Sequence, residues 1–259
     1  MAEGLVRLER EGYVATVTLA RSAKLNSLTP AMLDELERCA RELEADNTVR
    51  VVVLAAEGEK AFCVGADINE WAALAPLDMW RRWVRRGHQV FDQWARLRQP
   101  VIAALNGHAF GGGLELAITA DIRFTVETAQ FALPEAAIAT CPGWSGTQRL
   151  VGLIGASRTK YLALSGRRLT ALEALAGALV HQVVAPADLR RSTLALAHEI
   201  AAKAPVSVQL TKQLVNAASG EDSASTLEAM AGALAATTED AAEGIRSFRD
   251  KRAPTYAGR

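Results

Sequence analysis

The sequence predicts an α/β core over residues 1–186, followed by an all-helical C-terminal region over residues 187–259. Short alternating or β-branched apolar runs recur before residue 186, whereas alanine-rich sequence with helical spacing follows it. A chain of 259 residues that is 50% hydrophobic can also bury a substantial core. The C-terminal helices are expected near residues 187–204, 206–218, 223–236 and 239–248.

The first elements are predicted from local patterns. Residues 5–19 alternate between apolar and polar, and Glu11-Gly12 offers a turn, which together indicate a hairpin. Thr29 then reads as an N-cap with Pro30 at the first helical position. The continuous β-branched run at 49–56 predicts a strand that is covered on both faces.

The middle of the chain continues the α/β pattern. Apolar residues from Trp80 to Leu97 line one side of a long predicted helix, which Pro100 terminates. Thr170 and Glu173 form a capping box that opens a later helix. Short strands are predicted at 101–105, 122–126 and 130–133.

Composition narrows the classes of function. Lys plus Arg and Asp plus Glu both total 29, so the net charge gives no reason to expect nucleic acid or a membrane as partner. Cys39, Cys63 and Cys141 follow no metal-ligand spacing and indicate reduced thiols. No signal peptide or membrane span is predicted, so we expect a cytoplasmic protein. The cysteine spacing gives no reason to expect a metal site.

A glycine-rich stretch, Asn106–Glu115, lies between a predicted buried strand and a predicted helix. Consecutive glycines allow close approach to a ligand, and free N–H groups at a helix start stabilise a developing negative charge. A second glycine turn within 61–70 could supply another donor. A tight turn that only packs against a strand explains the first stretch equally well, and an ordinary strand-to-helix connection is the commoner explanation of the second. The glycines are not followed by the lysine and serine or threonine that a phosphate-binding loop requires.

Two glutamates stand in apolar surroundings. Glu115 lies within Leu-Glu-Leu-Ala-Ile, and Glu135 follows Leu133-Pro134. A single glutamate is usually a solvated surface group. A pair beside an apolar pocket can instead hold one water between a general base and a general acid.

Short segments from residue 21 to residue 254 form a recognisable series. In their order and spacing they resemble the enoyl-CoA hydratase/isomerase (crotonase) family over nearly the whole chain. The segments are RSAKLNSL at 21–28, AFCVGAD at 61–67, NGHAFGGGLEL at 106–116, FALPE at 131–135 with PGWSGTQRL at 142–150, and FRDKRAP at 248–254.

The resemblance implies a spiral of ββα units with a C-terminal helical region that assembles trimers, usually doubled into hexamers. It implies an acyl-CoA substrate, with the backbone N–H groups of Ala66 and Gly112 as oxyanion donors. Glu115 and Glu135 match the catalytic glutamates of the hydratases. Coenzyme A is part of the substrate, and no further cofactor is expected because the thioester is itself the electron sink.

The resemblance also implies substrate-binding positions. Lys24 and its neighbours Ala23 and Leu25 match the place where the family holds coenzyme A. Phe248 and Lys251 match residues that, in some relatives, reach the coenzyme A of a neighbouring subunit. Positions expected along the pantetheine and thioester are Ala61, Ala66, Asp67, Ile68 and Gly111.

The predicted reaction is hydration of a 2-enoyl-CoA thioester, a lyase activity of fatty acid and lipid metabolism. The alternatives are a Δ3-Δ2-enoyl-CoA isomerase or other enolate chemistry, and a non-catalytic binding or assembly protein on the same scaffold. The resemblance implies that a dehalogenase would need an aspartate nucleophile near Pro142–Trp144, and that reaction is excluded because no aspartate lies between Asp121 and Asp188. Trp144 departs from the small residues common in hydratases. It is expected to narrow the acyl pocket or, alternatively, to pack beneath the active-site helix.

Overall fold

The computed structural model describes residues 5–259, which form two compact units. The first unit ends at Leu210, and the second comprises Thr211–Arg259. The last strand ends at Val184, and every described element after it is helical, as the loss of strand signal predicted. Within residues 5–259, no helix combines the length and apolarity needed to cross a membrane.

Within residues 5–259, ten strands form two sheets. The six-stranded sheet has the order β1-β2-β3-β5-β7-β10, and only its β1–β2 pair is antiparallel. The four-stranded sheet has the order β4-β6-β8-β9, and its first three strands are parallel. The strands are β1 Val6–Glu11, β2 Val14–Leu19, β3 Val51–Ala56, β4 Ala61–Cys63, β5 Val101–Leu105, β6 His108–Phe110, β7 Ile122–Val126, β8 Gln130–Ala132, β9 Leu169–Thr170 and β10 Gln182–Val184.

The helices begin where the sequence places their caps. The Thr29 hydroxyl accepts a hydrogen bond from the Met32 N–H at 3.2 Å, and Thr170 and Glu173 form the predicted capping box. The helices are α1 Pro30–Ala45, α2 Ile68–Trp71, α3 Pro76–Asp78, α4 Arg85–Arg96, α5 Gly112–Ala117, α6 Gly146–Ser165, α7 Ala171–Ala176, α8 Leu189–Ala201, α9 Pro205–Ala218, α10 Ser223–Ala236 and α11 Glu239–Arg249.

The helix predicted over residues 80–97 is present, but its first residues are wound differently, and the predicted placement of Trp80 on its apolar side is wrong. Residues Met79–Val84 form a π-helical turn between α3 and α4. A π-helical turn contains more residues than an α-helical turn, so an apolar stripe spaced for 3.6 residues per turn is split there. Trp83 is therefore buried at 7% exposure, whereas Trp80 is 56% exposed.

The smaller sheet brings three loops together. Strands β4, β6 and β8 are parallel neighbours, so their carboxyl ends lie at the same edge. The chain leaves these ends through residues 64–67, 111–112 and 133–135. Ligands of α/β proteins bind beyond the carboxyl ends of parallel strands, so a ligand site is expected at this edge of the smaller sheet.

Candidate active site

A cavity of about 260 Å³ opens at this edge of the smaller sheet. Its walls combine the ends of the three loops with the start of α5 and the turn before α6. The sequence-predicted residues that line it are Ala66, Ile68, Gly111, Gly112, Glu115, Glu135 and Trp144.

Two backbone N–H groups border the cavity and have no partner in the described part of the chain. Leu28 donates to the Gly65 carbonyl and accepts from the Asp67 N–H, both at 2.8 Å, which leaves the Ala66 N–H out of the pairing. Gly112 begins α5, where N–H groups have no intrahelical acceptor. Within residues 5–259, neither N–H donates a hydrogen bond. A β-carbon at residue 112 would lie 3.6 Å from the Ala66 nitrogen, so the two donors are neighbours.

Gly111 is required by the position of Glu135. Its φ of +50° lies in the left-handed region, and a β-carbon there would lie 2.6 Å from Oε1 of Glu135. A side chain at residue 111 would therefore displace the carboxyl group. The glycine stretch thus serves the geometry of the cavity, and the interpretation as a mere packing turn is insufficient.

Glu115 is held rigidly. Its side chain is buried, and Oε1 accepts hydrogen bonds from the Trp144 N–H at 2.9 Å and the Gly146 N–H at 2.8 Å. Burial raises the pKa of Glu115, and the backbone N–H groups together with the Arg149 charge oppose that rise. Because both donors bind Oε1, the orientation of the carboxyl group is fixed, and Oε2 is the oxygen suited to accept a proton.

Glu135 differs from Glu115 in its partners. Oε2 of Glu135 is buried and has no hydrogen-bond partner within residues 5–259. Burial, together with the nearby charge of Glu115, raises the pKa of Glu135 to about 7. The two carboxyl groups thus face one cavity in different environments, which suits one to act as base and the other as acid.

Trp144 lies between α4 and the cavity, and its predicted narrowing of an acyl pocket stays a prediction. Its indole lies 5.3 Å from the rings of Trp83 and Phe91, centroid to centroid, and lines the cavity. A β-carbon at Gly87 on α4 would lie 2.2 Å from its Nε1, so the ring fills a groove that only glycine leaves open. Trp144 therefore packs against the helix and forms a wall of the cavity.

The predicted coenzyme A residues near Lys24 lie beside the cavity wall. Ala23, Lys24 and Leu25 are exposed on a 3₁₀ turn, and the Leu25 carbonyl accepts from the Val64 N–H at 3.2 Å. Val64 itself lines the cavity. The exposed turn is thus joined directly to the segment that carries the Ala66 donor.

Two other predicted positions do not reach the cavity. Ala61 is buried in β4, where its carbonyl accepts from Asn26 Nδ2 at 3.1 Å. Asp67 caps α2 through the Asn69 N–H and forms an ion pair with Arg21 at 2.7 Å. Arg21 holds the pKa of Asp67 below its ordinary value. Both residues therefore support the segment 61–70 without lining the cavity.

Phe248 and Lys251 lie in the second unit. Phe248 is 85% exposed on α11, and Lys251, also exposed, follows it with a φ of +53°. Both side chains are therefore accessible in the single chain. Their predicted contact with the coenzyme A of a neighbouring copy stays a prediction.

Sequence reasoning missed much of the apolar wall. The segment from α2 through the π-helical turn contributes Trp71, Met79, Trp83 and Val84, and the 3₁₀ turn Glu135–Ile138 adds Ile138. The tryptophan-rich composition of residues 71–84 was the available signal. Helical spacing places Trp80 and Trp83 on one side of a helix, but a local pattern does not indicate which partner an aromatic side chain meets.

Comparison with known proteins identifies the scaffold. The profile of the family described as enoyl-CoA hydratase/isomerase matches residues 9–259. The chain belongs to the enoyl-CoA hydratase/isomerase family. The short-chain-enoyl-CoA hydratase of Clostridium acetobutylicum is 39% identical over 249 residues, which cover 95% of each chain. The (E)-benzylidenesuccinyl-CoA hydratase of Thauera aromatica is 36% identical over 258 residues, 98% of this chain and 99% of the relative.

Solved structures of the family have the same fold. The crystal structure of an enoyl-CoA hydratase from Bacillus anthracis superposes with a TM-score of 0.81 at 36% identity, covering 98% of this chain and 100% of that one. The α/β crotonase fold predicted from the sequence is thereby confirmed.

Proposed function

We propose that this chain is an enoyl-CoA hydratase, which adds water across the 2,3-double bond of an enoyl-CoA thioester. The proposal rests on one observation. The carboxyl groups of Glu115 and Glu135 and the free N–H groups of Ala66 and Gly112 line the same cavity. Fold alone is a weak guide to reaction, so the argument rests on these four groups. Relatives described as hydratases support the same reaction.

The two N–H groups would hold the thioester oxygen. Electron density drawn toward that oxygen makes C3 electrophilic and stabilises the enolate formed after attack. Each such donor contributes about 3–4 kcal/mol in well-studied enzymes. The thioester accepts the electrons itself, so this chemistry requires neither a metal nor a redox cofactor.

The glutamates would divide the proton transfers. Glu115, which two N–H groups hold in a fixed orientation, removes a proton from water as the water oxygen bonds to C3. Glu135, which retains its proton up to a pH of about 7, delivers a proton to C2. General acid–base catalysis of this kind contributes about 100- to 10,000-fold in rate.

Coenzyme A would lie along the exposed turn containing Lys24. The lysine cation suits the phosphates, and the backbone of Ala23 to Leu25 is accessible beside Val64. Ile68, which is exposed and lines the cavity, would contact the pantetheine arm. A Lys24→Ala variant should therefore raise KM for an enoyl-CoA more than it lowers kcat.

Ultraviolet absorbance of the enoyl thioester tests the reaction. Wild-type protein should consume the absorbance of crotonyl-CoA or another 2-enoyl-CoA, whereas Glu115→Gln and Glu135→Gln should each lose at least about 100-fold in kcat. Glu127→Gln, at an exposed glutamate away from the cavity, is the matched control. Hydration retained in both active-site variants contradicts the proposal. Absorbance that rises with a 3-enoyl-CoA, without hydration, indicates an isomerase.

We also infer that copies of the chain assemble into a trimer or hexamer. Apolar side chains remain exposed on the helices of the second unit, which favours their burial by another copy. Sedimentation should give about three or six times the chain mass of 27.7 kDa, and a monomer contradicts the inference. The exposed side chains are Leu214, Val215, Leu227, Leu234, Ile245 and Phe248.

A further inference from the structure

The turn that binds Glu115 contains a residue in an unfavourable conformation. Ser145 lies between the two residues whose N–H groups bind Oε1 of Glu115, and its φ and ψ are 74° and 8°. Non-glycine residues adopt this left-handed region only when the surroundings compensate for the cost. Ser145 is also buried, so water does not supply that compensation.

Asp92 on α4 supplies a partner for the strained residue. The Ser145 hydroxyl donates to Oδ1 of Asp92 at 3.1 Å, and Arg149 Nη2 donates to the same oxygen at 2.8 Å. His88 Nε2 and an Arg96 nitrogen face Oδ2 at 3.4 and 3.8 Å. Asp92 thus joins α4, the turn and the first part of α6.

If its role were purely structural, Asp92 would only link two helices. Oδ1 of Asp92 instead binds both Ser145 in the turn and Arg149 in α6, so Asp92 also restrains the conformation of the turn. Arg149 also donates its N–H to the Ser145 carbonyl at 3.3 Å. Ser145 joins Trp144 to Gly146 covalently, so a change in its φ or ψ changes the orientation of their two N–H groups relative to each other.

We propose that Asp92 is a positioning residue, which holds Ser145 in its left-handed conformation and thereby aims the Trp144 and Gly146 N–H groups at Glu115. The proposal rests on the proposed function only for its effect on rate. Its geometric part concerns the turn itself. A misplacement of about 1 Å in a catalytic group can lower the rate 100-fold, so the effect should be measurable.

Paired substitutions at residue 145 separate strain from hydroxyl loss. Ser145→Ala and Ser145→Gly both remove the hydroxyl, but only glycine adopts the left-handed region without cost. We expect Ser145→Ala to lower kcat for crotonyl-CoA by about 10- to 100-fold with KM changed less than about threefold. Ser145→Gly should stay at least about fivefold above Ser145→Ala.

Asp92→Ala should behave as Ser145→Ala does, and its effect should be smaller in the Ser145→Gly background. Coupling of this size between contacting residues is what a double-mutant cycle measures. Equal losses from Asp92→Ala in both backgrounds would overturn the proposal, because they would indicate a role that bypasses Ser145. Ala178→Gly, at another left-handed residue that is exposed, is the control and should leave kcat unchanged.

Amide hydrogen exchange gives a readout that does not depend on activity. Trp144 and Gly146 amides should exchange faster in Ser145→Ala and Asp92→Ala than in wild type, and near the wild-type rate in Ser145→Gly. A wild-type enzyme without hydratase activity would refute the proposed function, and the exchange data would still decide the role of Asp92. Unchanged exchange in both the Ser145→Ala and Asp92→Ala variants would overturn the positioning role even if hydration is confirmed.

Discussion

Replacing Glu135 by glutamine should make the protein more stable at alkaline pH. The native structure buries this carboxyl group at the cavity wall and leaves Oε2 without a partner within residues 5–259. Its ionised form is disfavoured there, as the rise of its pKa from 4.5 to about 7 expresses. Glutamine has nearly the same shape and never ionises, so it removes the penalty while leaving the packing intact.

The sign and size of the effect follow from proton linkage. Below pH 4.5 the carboxyl is protonated in both the folded and unfolded states, so ionisation contributes nothing. Between 4.5 and 7 the unfolded chain loses the proton and the folded chain keeps it, and folded stability therefore falls as pH rises. At about 1.36 kcal/mol per pKa unit, the rise from 4.5 to about 7 corresponds to about 3.4 kcal/mol of lost folded stability. Partial solvent screening reduces this loss to about 2 kcal/mol.

Urea denaturation at pH 5 and pH 8 measures this difference. The free energy of unfolding of Glu135→Gln, relative to wild type at the same protein concentration, should increase by about 2 kcal/mol between the two pH values. Glu127→Gln, at an exposed position, should not reproduce the increase. A difference that is the same at both pH values would refute the idea that burial disfavours the ionised form of Glu135.

Three further changes probe the cavity. Gly111→Ala should lower kcat by about 100-fold in the absorbance assay because a methyl group there would lie 2.6 Å from Oε1 of Glu135, whereas Gly152→Ala, which has open space, should be near wild type. Trp144→Ala should shift a panel of enoyl-CoA substrates toward longer or bulkier acyl groups; an unchanged preference would exclude Trp144 as a wall of the acyl pocket. Alkylation of Cys141, an exposed thiol that lines the cavity, should inhibit hydration, and Cys141→Ala should abolish that sensitivity.

Local elements were predictable because their causes are local. The hairpin at 5–19, the cap at Thr29 and the capping box at Thr170 each depend on residues a few positions apart. The π-helical turn was not predictable in this way. Which of Trp80 and Trp83 is buried depends on the winding of the backbone, and that depends on tertiary packing.

The candidate site also combines features with local causes and features that depend on tertiary packing. The sequence by itself determined the family and the loops that contain Ala66, Gly112, Glu115 and Glu135, because residue types in order and spacing carry that information. Only the tertiary structure decided that these loops share one cavity, since the parallel pairing of β4, β6 and β8 joins segments that are far apart in sequence.

The structure alone also assigned partners to the supporting residues. Asp67 pairs with Arg21 beneath the turn and does not line the cavity, and Asp92 binds the turn that holds Glu115. A charged residue in a sequence indicates that a partner is needed but not which one, because the partner is chosen by three-dimensional proximity. Coenzyme A contacts, oligomeric state and the cytoplasmic location stay predictions from the sequence, whereas the geometry around the two glutamates belongs to the fold.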